Sequence, residues 1–122
     1  MVNGSGSTDT ILAPEQVRDL LASSLDATSL TGKRVLVLIP DGTRTAPIPL
    51  MFRLLGELLG QRVARLDYLI ALGTHQPMSA EAIDRLVGME ATERATRFPN
   101  TAIHNHRWDV PEALTTIGTI GR

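Results

Sequence analysis

Two apolar runs of strand length, 33-KRVLVLI-39 and 66-LDYLIAL-72, each stop abruptly in a knot of polar and turn-forming residues. This is the feature that most restricts the fold. The first run is apolar on both faces rather than alternating, which predicts a central strand of a parallel sheet covered on both sides. Between the runs, 47-PIPLMFRLLGELLG-60 sets Leu50, Leu54, Leu55, Leu58 and Leu59 on one helical stripe. Pro47 and Pro49 suit that helix's first turn and Gly60 its end. Strand, helix, strand in this order is the unit of a parallel sheet with right-handed crossovers.

The flanks extend the pattern. Pro14 followed by Val17, Leu20, Leu21 and Leu25 predicts an amphipathic helix over 14–25. Ser79 reads as an N-cap for a helix carrying Ile83, Leu86 and Val87 and ending at Gly88. Residues 91–97 suit a further helical turn or two. Segments 101-TAIHNH-106 and 113-ALTTIGTI-120 have strand alternation, joined by a turn at 108–111. The predicted order is α, β, α, β, α, β, β. The expected fold class is α/β: a mostly parallel, Rossmann-like sheet with helices on both faces. No G-x-G-x-x-G and no P-loop is present. Residues 1–12 read as a flexible leader and 13–122 as one domain.

Composition excludes several classes. Only four of 122 residues are Phe, Trp or Tyr, so the core must be largely aliphatic. Net charge is −1 with scattered basic residues, which argues against nucleic acid or a membrane surface as partner. Without cysteine there is no disulfide framework and no thiolate chemistry, in keeping with a cytoplasmic setting. No apolar run approaches the ~20 residues of a membrane span, and the first ten residues lack the cationic and apolar regions of a signal peptide.

Ligands of open α/β sheets bind outside the carboxyl ends of the strands, where both knots lie. In 41-DGTRTAP-47, Gly42 permits close backbone approach. Thr43 and Thr45 offer hydroxyls beside a helix N-terminus, and Arg44 offers a planar fork for a carboxylate or phosphate. Asp41 suits either orienting that arginine or holding a ligand hydroxyl. The same residues also suit a plain capped loop with an Asp41–Arg44 surface pair. In 73-GTHQP-77, His75 stands between a glycine and a proline and suits a general base near neutral pH. Adjacent strand ends would bring it near Asp41 and Arg44. His104 and His106 share a strand face but find no third ligand, so they read as a polar face and no metal is assigned. Trp108 is expected to pack over the sheet edge.

A strand ending in PDGTR, a helix opened by P-x-P, and a second strand ending in ALGTHQPMS resemble the lactate racemase family. These are nickel-pincer-nucleotide enzymes that racemise or epimerise 2-hydroxy acids. The resemblance implies a longer, two-domain enzyme with the cofactor between domains and one pincer arm tethered to a lysine. A histidine completes the nickel coordination. It implies proton-coupled hydride transfer with two acid/base histidines, one per substrate face. His75 matches the first of these. Asp41, Thr43 and Arg44 match the D-x-T-R motif that lines the cofactor and substrate site, and Gly73 and Thr74 fall in the second motif beside them. Thr45 departs from the proline common there and is placed with the same lining. The tethering lysine, the nickel histidine and the second acid/base histidine would lie beyond residue 122. Lys33, the sole lysine, matches none of them. The chain thus looks like the N-terminal part of such a racemase with its partner domain truncated, holding no cofactor and inactive alone. Two other expectations stand beside it: a non-catalytic nucleotide- or anion-binding module, and an inert fragment self-associating through an exposed sheet edge.

Overall fold

Parallel neighbours cannot be joined by a hairpin, so each return must cross through a helix. The computed structural model, which describes residues 3–121, has this form. Met1, Val2 and Arg122, at the ends of the expected leader and domain, lie outside the described residues, and 3–13 carry no helix or strand. The elements are α1 (Pro14–Asp26), β1 (Arg34–Pro40), α2 (Ile48–Leu59), β2 (Arg65–Ala71), α3 (Ala80–Val87), α4 (Ala91–Arg97) and β3 (Thr101–Asn105), then one 3-10 turn at Pro111–Ala113. The strands pair in the order β1-β2-β3, all parallel. Their carboxyl ends are nearly flush, with Pro40 opposite Ala71 and Ile70 opposite Asn105. The α/β class and the parallel sheet are as expected.

Local chemistry accounts for the boundaries. Pro14 opens α1, and the Gln16 side chain accepts from the Ala13 N–H at 2.8 Å. Ser79 Oγ accepts from Ala82 N at 3.2 Å, starting α3 as expected. Gly88 ends α3 with φ +67°, and a Cβ there would lie 2.9 Å from Pro49 Cβ, so two separate constraints select glycine.

One sheet face is covered. Leu66, Tyr68 and Ile70 of β2 are fully buried, with Ile39 of β1, beneath Ile48, Phe52, Leu55 and Leu59 of α2. Val87, Met89 and Phe98 close the same cluster. The stripe of α2 is therefore centred on Ile48 and Phe52, not on Leu50 and Leu58, which are only half-buried. The branched and aromatic residues face the sheet, and leucine count alone does not reveal the phase. Three of the four aromatic residues meet in this core. The Phe52 ring lies 4.9 Å from Tyr68 and 5.9 Å, edge-on, from Phe98.

Two expectations fail. β1 is an edge strand, and its Leu36 and Leu38 are 58% and 67% exposed. Helical cover on both faces is thus absent at β1, because a continuous apolar run does not distinguish a central strand from an edge strand with one bare apolar face. Residues 113–120 form no strand: the 3-10 turn ends at Ala113, and Leu114, Ile117 and Ile120 are exposed. Alternation over those residues is interrupted by Gly118 and finds no partner strand among the described residues.

Two stability predictions follow from the packing. A Cβ on Gly56 would sit 2.6 Å from the Phe98 ring. Gly56→Ala, ordinarily favourable within a helix, should here cost about 1–3 kcal/mol in urea denaturation through overpacking. The Tyr68 hydroxyl is buried without a hydrogen-bond partner among the described residues, and burial pushes its phenol pKa up. Tyr68→Phe should leave stability unchanged or raise it by up to about 1 kcal/mol in the same assay.

Candidate functional site

The flush register carries the two loops that follow β1 and β2 to one rim of the sheet. Asp41 is the first residue beyond β1, and only 6% exposed. A buried carboxylate must be satisfied by donors, and three converge on it. Thr43 N and Thr43 Oγ1 donate to Oδ1 at 3.1 and 2.5 Å, curling the loop into a tight turn. The third comes from the other loop: His75 Nδ1 lies 2.5 Å from Asp41 Oδ2.

The His75 loop is built by short-range geometry. Gly73 takes φ +61°, and His75 N donates to Leu72 O at 3.0 Å. The imidazole side chain remains 56% exposed. Hydrogen bonds from His75 and from Thr43 hold the Asp41 carboxyl down at about 2, against an ordinary 3.8. Asp41 is therefore an acceptor at neutral pH, and the shared proton sits on His75 Nδ1. In the neutral ring Nε2 is then the free basic nitrogen. An acid that fixes the tautomer of an exposed imidazole equips it to take a proton from a ligand.

A cleft of about 440 Å³ runs along this rim, lined by Asp41, Thr43, Arg44, Gly73, Thr74 and His75 over the strand ends. Six of the seven residues singled out in the sequence thus meet in one place. Thr45, though exposed on the same loop, does not line the cleft. Two details differ from expectation. Asp41 engages Thr43 and His75 rather than Arg44, whose backbone N–H alone reaches Asp41 O, at 3.4 Å. The Thr43 hydroxyl is spent on Asp41 instead of facing an anion. Arg44 is exposed and forms no salt bridge among the described residues, which leaves its fork for an anionic ligand.

Sequence reasoning missed two residues here. Trp108 does not merely cover an edge: its indole Nε1–H donates to His75 O at 3.0 Å. Asn105, the last residue of β3, brackets the far end of the loop. Its Oδ1 accepts from Met78 N at 2.9 Å and its Nδ2 donates to Met78 O at 3.0 Å. The available signal was position, since Asn105 occupies on the third strand the place the two polar knots hold on the first two. His104 lies on the exposed face, 4.0 Å from Asp67 Oδ1, and His106 falls just past β3. Among the described residues no group of three His, Asp or Glu side chains is placed to hold a metal. No described helix is long and apolar enough to cross a membrane.

The Asp41 carboxyl is lower in the folded than in the unfolded chain, so its contribution to stability is full above about pH 4 and is lost as pH falls toward 2. Acid titration of the thermal midpoint should show this loss in the wild type. Asp41→Asn should have a lower midpoint at neutral pH and a flatter profile across that window. An unchanged profile would mean the carboxylate is not held this way.

The chain is similar to known proteins. Residues 12–122 match the family described as Lactate racemase N-terminal domain. A crystal structure of a Thermotoga maritima protein, determined by a structural genomics consortium, is 30% identical. It superposes with a TM-score of 0.69, covering 89% of this chain and 25% of that one. The chain therefore spans a quarter of that protein's length. No curated protein sequence matches it. On the family match over nearly its whole length, this chain belongs to the lactate racemase N-terminal domain family.

Proposed function

We propose that the chain is the N-terminal part of a 2-hydroxy-acid racemase or epimerase and contributes one acid/base histidine and one carboxylate clamp to its site. The observation that carries this reading is the Asp41–His75 pair at 2.5 Å on the rim that Arg44 also lines. A 2-hydroxy acid presents a carboxylate and, one carbon away, a hydroxyl proton. Arg44 binds the carboxylate with its fork. His75 Nε2 takes the hydroxyl proton as the Cα–H bond weakens, and Asp41 supports the imidazolium that results. A nickel-pincer nucleotide would supply the hydride acceptor in the whole protein.

The residues of this chain do not fit the metal-binding and tethering parts of that cofactor. No cluster of metal-ligating side chains occurs among the described residues. Lys33 precedes β1, at the end of the strand away from the cleft. Those parts are assigned to the remainder of the protein, and no step is routed through them. The substrate is then a small 2-hydroxy acid, with neither nucleic acid nor membrane as partner and the cytoplasm as setting.

In the full-length protein carrying its cofactor, His75→Ala should slow interconversion of 2-hydroxy-acid enantiomers by about 10²–10⁴-fold, followed by chiral chromatography. Arg44→Lys should raise KM more than it lowers kcat, since a point charge replaces a fork. Undiminished turnover in His75→Ala would overturn the assignment.

A further inference from the structure

Every residue from Gly73 to Pro77 is exposed, so packing does not hold the segment that carries His75. Gly73 adds freedom at its start: φ is +61° and a Cβ there would meet nothing within 4 Å. Yet the imidazole must keep Nδ1 on Asp41 to leave Nε2 toward the cleft. Something other than the loop must set its direction.

The carboxyl end of β3 does so. Asn105 makes two hydrogen bonds to the Met78 main chain, in the manner of one more strand residue, and fixes where the loop ends. The Trp108 indole N–H, 3.0 Å from His75 O, fixes the plane of the peptide that follows the histidine. Trp108 is itself held in place by its neighbours. Arg107 donates through Nε and Nη2 to Asp109 Oδ1 and Oδ2 at 2.9 and 3.0 Å, a two-point fork that closes the turn around it. His106 N donates to Ile70 O at 3.1 Å and ties that turn to β2. The third strand thus becomes the brace for the histidine on the second.

We infer that Asn105 and Trp108 are positioning residues for His75: together they hold the loop so that Asp41 selects the Nδ1–H tautomer and Nε2 faces the cleft. The inference rests on the reading of His75 as the acid/base group, but it is tested without turnover. Ring-nitrogen chemical shifts of His75, from long-range ¹⁵N–¹H correlation spectra of the 122-residue chain with the imidazole neutral, report the tautomer ratio directly. The wild type should be in the Nδ1–H form. Trp108→Phe, which removes only the donor, and Asn105→Ala should each shift the ratio about tenfold toward Nε2–H, the change that roughly 1.4 kcal/mol produces. Ile83→Ala, which weakens core packing on α3 and removes no hydrogen bond to the loop, should lower the thermal midpoint and leave the ratio unchanged. An unchanged ratio in both Trp108→Phe and Asn105→Ala would overturn the positioning role, as would an equal shift in Ile83→Ala. A failed racemisation assay leaves these shifts untouched, so the two results are separable.

Discussion

The site depends on one buried carboxylate. Asp41 loses most of its water at the end of β1 and regains it as three hydrogen bonds, two from Thr43 and one from His75. Because the donors come from two loops separated in sequence by a whole crossover, satisfying the charge also joins those loops. An asparagine of the same shape would accept more weakly and would present a donor of its own where His75 now donates. The chemistry of the rim and the closure of the rim are the same interaction.

That interaction is possible only because the strands are parallel and in flush register. Three strand tips at one level bring three loops together: the first supplies Asp41 and Arg44, the second His75, and the third the side chains that brace the second. The rigidity beneath comes from one face of the sheet alone, where α2 lies on β2 with Phe52, Tyr68 and Phe98 in mutual contact. The opposite face, with Leu36 and Leu38 exposed, contributes nothing to that core.

What the sequence made legible was whatever local patterning encodes. The two runs and their polar ends located both loops, Ser79 and Gly88 marked α3 correctly, and the strand-end rule placed His75 beside Asp41. What it concealed was set by neighbours distant in the chain. Whether Asp41 would pair with Arg44 or with His75 depends on register, which no spacing within one loop reveals. Trp108 and Asn105 look unremarkable as single residues, because their role lies in hydrogen bonds to a main chain about thirty residues earlier. The phase of α2 was misread because five leucines offered more than one self-consistent stripe. Residues 113–120 alternate well enough for a strand, but alternation supplies no partner.

Charge explains why the arginine must stay free. A site that holds a buried anion repels an anionic substrate unless that anion is screened or countered. Thr43 and His75 occupy the Asp41 lone pairs and its burial keeps it behind them, so the carboxylate presents little charge to an anion at the rim. With Asp41 ionised and His75 neutral, Arg44 brings the rim to zero net charge. A proton added to the imidazole would make the rim positive, and on the proposed reading a carboxylate on Arg44 would then be held more tightly. Had Asp41 paired with Arg44, as the loop alone suggested, the fork would be neutralised and the histidine left to choose its own tautomer. Pairing Asp41 with His75 therefore does two things at once: it orients the imidazole and it leaves the Arg44 guanidinium without an internal partner among the described residues.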